Sequence, residues 1–537
     1  MGNIENKSNK KIDEILLSII LGLVLLGLVV IHIDVNINHY CTQMDADIAS
    51  EALLATRVAE NCFITPDTWV GSSGVRIISV PNLAAFFYHI LGNNMNLAMG
   101  ISCSIMMLML ILAMVIYFRQ LSFSWFEVFT SLIMFLSVSD ILKENQSMLL
   151  LWASYYVPTF ISLYVILIFY NISIKRNKTP LYIWIISATL AILNGMQGVY
   201  GCLYCFFPVL GAELLRMVYF KSRKKDSARS VILVWLFSIS VLSFGVSKLV
   251  NAYGLGMSRN IRHAPEKFIS QVWPAMKDVV YLGNAPYVIG VLCVLAVVGY
   301  LYVIRDILLV KISDKDAQRN DIVQESKAEA ARMERNAWCQ WGHLSLPISM
   351  VICILSLTFT TMEVAPRYFI VELFMVGTGI GLFLNKSKSS ATKLVAVIVA
   401  VVGIIACRYY YDELIVGDYS KSSDEYMAAQ WMQERGYEYG YAIFDNANTT
   451  TVMSNNAVKV RSVNNMKEME GCKWLTDKSW YPPFKSAEGA TCYLVSPGAV
   501  EDFSAFLTER SPEIVETAEV GKYTVYVLDH DYTVWKD

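Results

Sequence analysis

Three carboxylates stand in the run Met44-Asp45-Ala46-Asp47-Ile48-Ala49-Ser50-Glu51, about a dozen residues after a long apolar segment. Asp47 and Glu51 are four apart, so on a helix they share a face. Ile48, Ala52, Ala55 and Ala59 form an apolar stripe beside them. Acids at a membrane surface could take a proton from a hydroxyl, or hold a cation or a sugar hydroxyl. The alternative is a solvated helix lying along the interface, its leading acids favoured by the helix dipole.

Four other clusters have residue types suited to chemistry. Asp140-Ile141-Leu142-Lys143-Glu144-Asn145 offers a second acidic group, or a charged span boundary. Glu363-Val364-Ala365-Pro366-Arg367-Tyr368 offers a guanidinium fork suited to phosphate oxygens, with Glu363 as its resting partner; the plainer reading is a snorkelling Arg beside an aromatic-belt Tyr. Ser258-Arg259-Asn260-Ile261-Arg262-His263, with Lys267 and Lys277 beyond, offers cations for an anion, or a loop balancing its charge. Asn194–Gly201 holds three glycines, for a tight turn or for close approach of a ligand.

These clusters need elements to position them. Hydropathy predicts eleven spans, at about 14–33, 96–118, 124–139, 156–173, 181–194, 199–219, 230–250, 286–308, 346–361, 367–384 and 392–409. Those at 124–139, 181–194 and 346–361 are short for a bilayer, which takes about 20 residues. Basic residues mark one side: Lys7, Lys10 and Lys11; Lys175, Arg176 and Lys178; Lys221, Arg223, Lys224, Lys225 and Arg229; Lys311, Lys315 and Arg319; Lys386, Lys388 and Lys393. If spans alternate, all five groups fall together, and the positive-inside rule makes that side cytoplasmic. The first loop (34–95), the 251–285 loop and the region from 410 onward then face outward. The 309–345 loop reads as a solvated helix of mixed charge.

Composition agrees. The chain has 537 residues, 55% hydrophobic and only 17% charged, against about 25% charged in soluble domains. The net charge of −2 says nothing about nucleic acid, but there is no basic stripe with interleaved aromatics, so no nucleic-acid partner is expected. Of eleven Cys, Cys202 and Cys205 form a lone C-x-x-C better read as packing than as a metal site. Cys41 with Cys62 and Cys472 with Cys492 are pairs open to bridging. The last 125 or so residues change character. Helices are expected over Asp424–Gly436, with Gly436 as C-cap, and Val500–Thr508. Strands are expected over Gly440–Phe444, Ala457–Val463, Thr491–Val495 and Tyr523–Leu528. The expected architecture is a polytopic α-helical membrane protein of about 11 transmembrane helices (residues 1–409) with a C-terminal extracytoplasmic α/β domain (410–537).

This layout resembles the GT-C superfamily of integral-membrane glycosyltransferases. The likeness is most specific in Asp45–Glu51 and in Ala55-Thr56-Arg57-Val58-Ala59-Glu60. Pro66, Trp69, Arg76, Pro81 and Tyr88–Gly92 follow, and Arg367-Tyr368 resembles the family's Arg-Tyr step. The resemblance implies a polyprenyl-phosphate-linked sugar as donor, an envelope glycan, lipid or protein as acceptor, and a site at the outer plasma-membrane surface. It implies Asp45 or Asp47 as base and Asp140 or Glu144 as accessory acid. Arg367, with Arg259 or Arg262, would hold the phosphate, and Glu51, Glu363 and Tyr368 would complete the binding set. A divalent cation is the one cofactor such acids could hold. Two departures stand out: Asp-Ala-Asp replaces the adjacent acidic pair of several members, and the Asp140 cluster is not a clean Asp-x-Asp. One base and one leaving phosphate imply inversion at the anomeric carbon. A transporter or flippase, and a non-catalytic envelope assembly protein, are the competing readings.

Overall fold

The computed structural model describes residues 2–71, 76–138, 149–176, 179–220, 227–250, 261–280, 286–317, 341–387, 391–486 and 489–536. Among the described residues, eight helices are long and apolar enough to cross a membrane: Ile12–Asn38, Met95–Gln120, Val157–Arg176, Val199–Tyr219, Val231–Leu249, Tyr287–Leu309, Pro366–Lys386 and Ala391–Glu434. Three shorter apolar helices, Trp125–Ser137, Leu181–Met196 and Gly342–Thr358, coincide with the three short spans expected from hydropathy. The chain is thus a polytopic helical protein with a C-terminal sheet region. The expected charged helix of the 309–345 loop lies outside the described residues.

Packing divides the chain into two units. One comprises Met1–Ile31, Met107–Leu149 and Tyr156–Tyr410; the other comprises His32–Met106, Leu150–Tyr155 and Tyr411–Asp537. The first loop, 34–95, therefore packs as part of the same unit as the C-terminal sheet.

The helical unit keeps rows of large apolar side chains on its outside. Leu16, Leu23, Leu112, Val291 and Leu394 are each more than half exposed. Water does not tolerate so much apolar surface, whereas lipid does. Between its helices the unit uses small residues. A Cβ on Gly299 would stand 2.1 Å from the Gly379 carbonyl oxygen, and one on Gly379 would stand 2.6 Å from that of Ala296. The two helices cross here backbone to backbone, as small residues allow in lipid. Of the three glycines in Asn194–Gly201, Gly198 at φ +123° makes the turn between two helices, while Gly195 and Gly201 lie in those helices, where a Cβ would stand 2.5 Å from the Ser240 carbonyl oxygen and 2.6 Å from Asn194 Cβ.

In the other unit, α1 (Gly2–Asn38) ends and a short turn leads to α2 (Ala46–Glu60). Next come β1 (Trp69–Val70) and α3 (Val80–Ile90), then α4 (Met95–Gln120) begins. The C-terminal part builds a five-stranded sheet from β2 (Tyr439–Ile443), β3 (Lys459–Val463), β5 (Thr491–Val495), β6 (Ile514–Val520) and β7 (Tyr523–Leu528), in the order β3-β2-β5-β7-β6. β2 runs parallel to β3 and β5, while β7 runs antiparallel to β5 and β6. Parallel neighbours need a crossover, and the helix Phe444–Met453 supplies it between β2 and β3. Strand β4 (Thr476–Asp477) leaves the main sheet and pairs with β1 of the first loop. Tyr441, Tyr481, Tyr493, Phe503 and Phe506 form an aromatic core, all nearly fully buried. Edge strand β6 carries a bulge between Ile514 and Glu516, and Glu516 is held by Arg435 and Tyr437.

Helix α2 is not the surface-lying helix expected from its stripe. Ile48, Ala52, Ala55 and Ala59 are buried, but so are Leu53, Leu54 and Val58 on other sides; only Asp47, Arg57 and Glu60 retain appreciable exposure. It packs against α3 on one flank and the crossover helix on another. Asn448 of that helix donates to the Ser50 hydroxyl at 2.9 Å. The two cysteine pairs open to bridging are free thiols. Cys492 sits inside β5, and Cys41 Sγ accepts from Asn96 Nδ2 at 3.4 Å. Cys202 and Cys205 are buried and free, as packing residues would be.

Candidate functional site

The turn after α1 places Asp45 as the N-cap of α2. Its backbone is extended, and its Oδ1 accepts the Ile48 N–H at 2.7 Å. A carboxylate there satisfies one of the orphan N–H groups that open every helix. Asp47 follows in the first turn, where the helix dipole favours its anion. The side chain is half-buried and carries no capping duty.

Glu51 stands one turn further on, only 4% exposed. Arg76 meets it with two donors on the same oxygen: Nη2 at 3.0 Å and Nε at 3.2 Å from Oε1. The Arg76 guanidinium lies 3.8 Å from the centre of the Tyr155 ring. Burial pushes the Glu51 carboxyl up, the Arg76 charge and hydrogen bonds offset part of that, and Asp47 adds to it; the net direction is upward. For Arg76, burial works against the charge, but Glu51 and Tyr155 outweigh it and hold the guanidinium above its ordinary value. Glu51, expected as a substrate ligand, is thus the partner of Arg76.

Tyr40 completes this end of α2. It is 2% exposed and its hydroxyl has no hydrogen-bond partner. Burial foremost, then Cys103, Cys41, Glu51 and Asp45, drives the phenol well above its ordinary value. The cluster therefore offers a neutral phenol and two carboxylates, the exposed cap Asp45 and the half-buried Asp47.

The other expected residues fall in the helical unit. Arg367 and Tyr368 lie on the short turn Pro366–Phe369 that starts the helix Val371–Lys386. The Arg367 guanidinium is 5.5 Å from the Tyr368 ring centre. Tyr368 stacks on Tyr200 at 6.3 Å, and the Tyr204 hydroxyl donates to the Tyr368 carbonyl at 2.9 Å. The turn is thereby braced by aromatic rings. Glu363 is exposed just before it. Lys267, expected as an anion ligand, is 7% exposed and donates to the carbonyls of Thr360 (2.7 Å) and Met362 (2.5 Å). It clasps the loop backbone. Arg262 is exposed on a turn. Asp140, Glu144 and Arg259 lie outside the described residues.

Among the described residues no three His, Cys, Asp or Glu side chains group as metal ligands. With Glu51 engaged by Arg76 and Asp45 by the cap, the first-loop acids do not form a cation cage.

A second cluster went unpredicted. Toward its C-terminal end α2 presents Arg57, whose Nε donates to Asp477 at 2.7 Å and whose Nη1 donates to Glu60 at 2.6 Å. Lys459, Arg461 and Lys485 gather with it around a cavity beside Trp480. The one sequence signal was Arg461 itself, set between apolar or small neighbours in Val458-Lys459-Val460-Arg461-Ser462-Val463.

No family model matches the chain, and no curated protein matches it in sequence.

Proposed function

We propose that this protein is a membrane glycosyltransferase that moves a sugar from a polyprenyl-phosphate donor to an envelope acceptor at the outer face of the plasma membrane. The observation that carries the reading is the N-terminal end of α2. The first candidate span ends at Asn38, and a short turn leads to α2, whose first turn carries the half-buried Asp47 beside the cap Asp45 and one turn before the buried Glu51–Arg76 pair. The likeness to the GT-C layout supports it. So does the charge pattern of the sequence: in this reading the five basic loops face the cytoplasm and the sheet-bearing unit faces outward.

In this reading Asp47 accepts the proton of the acceptor hydroxyl as the oxygen bonds to the anomeric carbon. The bond from that carbon to the phosphate oxygen breaks, and its electron pair leaves on polyprenyl phosphate. A hydroxyl is a poor nucleophile until a base is aligned with it, and such a base contributes about 10²–10⁴-fold. Asp45 is the weaker candidate because its oxygen already accepts the Ile48 N–H. The leaving phosphate gains charge as its bond breaks, so a fixed cation beside it would favour the departing anion more than the ground state. One base acting opposite the leaving group inverts the anomeric centre.

The test is mass spectrometry of envelope glycans from cells lacking the gene and cells complemented with wild type, Asp47→Asn or Asp45→Asn at matched protein level. A glycan mass that vanishes with the gene, returns with wild type and fails to return with Asp47→Asn is expected. Full restoration by Asp47→Asn removes the base. An unchanged glycan profile in the deletion removes the enzyme.

One observation favours a transporter as second reading. Glu213 and Arg216 pair at 2.6 Å inside a candidate span, each 1% exposed, and Tyr170 donates to Glu213. Ionisable groups buried at membrane depth commonly mark transport paths. Arg216→Met with Glu213→Gln, made together, would abolish uptake or lipid movement under that reading and leave glycan transfer intact under the first.

A further inference from the structure

We propose that the sheet-bearing unit contains an oxyanion-binding site, formed where α2 meets β2, β3 and the segment around Trp480, that takes a small phosphate- or carboxylate-bearing ligand. The inference does not rest on the glycosyltransferase reading.

A cavity of about 290 Å³ opens here. That is the lower end of the range for small-molecule sites, about 300–1,000 Å³. Its wall carries four cations, Arg57, Lys459, Arg461 and Lys485, and one carboxylate, Glu60. Three of the cations have carboxylate partners. Arg57 reaches Asp477 and Glu60, Lys459 pairs with Glu438, and Lys485 reaches Asp531 at 3.2 Å.

Arg461 differs. It is 7% exposed, and its Nη1 is buried without any hydrogen-bond partner. The guanidinium lies 3.8 Å from the centre of the Trp480 ring. A cation on an aromatic face gains about 0.5–2 kcal/mol, and desolvating an unpaired charge costs more than that. Burial pulls the Arg461 guanidinium down to about 10, so it remains charged at neutral pH. Of the four cations, Arg461 alone has no carboxylate partner among the described residues. Its planar fork suits the oxygens of a phosphate or carboxylate, and the two lysines add compact point charges. Tyr439, Asn456, Thr56 and Ser479 line the same space and offer neutral hydrogen-bonding groups to the rest of such a ligand.

The test is isothermal titration of the full-length protein in detergent micelles, with inorganic phosphate in one arm and glucuronate in the other. Saturable binding in at least one arm is expected, and the tighter arm identifies the headgroup. Arg461→Gln should weaken it at least about tenfold. Lys485→Gln should weaken it several-fold, and Glu60→Gln should tighten it about two- to threefold. If Arg461→Gln loses its thermal transition, the Lys485 and Glu60 variants at the rim decide the matter. Two results overturn the site: no saturable binding of either anion by wild type, or binding that none of the folded variants alters.

Discussion

Two ion pairs, one in each packing unit, reach over very different ranges. In the helical unit, Glu213 and Arg216 are three residues apart on one helix and nearly inaccessible. In the sheet-bearing unit, Arg57 finds Asp477, 420 residues away in sequence. A helix among apolar neighbours has few polar groups in reach, so an ion pair one turn away is the least costly way to keep a charge. A domain assembled from a loop and a sheet can draw partners from anywhere. The first kind of pair holds a helix together locally. The second holds separate chain segments together, and it is the second kind that surrounds the cavity and the acids of α2.

The largest expected effect tests whether the α2 acids act as chemistry or as structure. Asp47→Asn should lower transfer about 10²–10⁴-fold with protein level and melting temperature unchanged, read by glycan mass spectrometry and a thermal scan. A parallel loss of fold would move Asp47 into the structural class. Next comes the local pair. Arg216→Met alone leaves Glu213 buried without its guanidinium, and should destabilise the helical unit by about 3–5 kcal/mol. Replacing both partners with apolar residues should recover most of that. Equal losses in the single and double variants would show that the pair does more than neutralise itself.

The long-range pair should cost less, because Arg57 is a quarter exposed. Arg57→Ala should destabilise the sheet-bearing unit by about 2 kcal/mol. Hydrogen exchange should show the loss in β4, which this ion pair ties to α2, and in its partner strand β1. Acid titration sharpens the same contact. Burial alone would raise the Asp477 carboxyl, but the Ser479 side-chain and backbone bonds and Arg57 outweigh it and hold it below its ordinary value. A depressed carboxylate gives its full stabilisation above the unfolded value, near pH 4, and loses it as pH falls through the folded value. The unit should therefore stay intact to below about pH 4, and Arg57→Ala should move the acid transition upward, as followed by circular dichroism. The smallest effect is Asp45→Ala, about 1 kcal/mol for a lost cap.

Much of the fold was legible. Strands β5 and β7 match their expected ranges residue for residue; the helix expected over Asp424–Gly436 ends at Glu434 with Arg435 as its C-cap, and Gly436 follows at φ +75°. Hydropathy located the short apolar helices because each is a nearly uninterrupted apolar run. The crossover helix Phe444–Met453 was missed because Asp, Asn and Thr fill it, all weak helix formers. It is held by burial and by Thr449 and Thr450 bonding back to carbonyls one turn earlier. β6 was missed because its register breaks at a bulge. The spacing of Asp47 and Glu51 was readable, but the division of labour among the acids was not. That depends on Arg76 beyond a loop, on a cap geometry, and on a sheet 400 residues downstream. The same distance hid the burial of α2, although Leu53, Leu54 and Val58 already lay off the apolar stripe.

The edge strand β6 has a consequence for life on a crowded surface. Molecules tethered to one plane meet far more often than the same number free in solution, and an open row of backbone donors invites such neighbours to zip together. The irregular register at Ile514/Glu516 and the acidic side chains along this margin spoil that template. Dense packing of copies should leave each sheet closed to its neighbours.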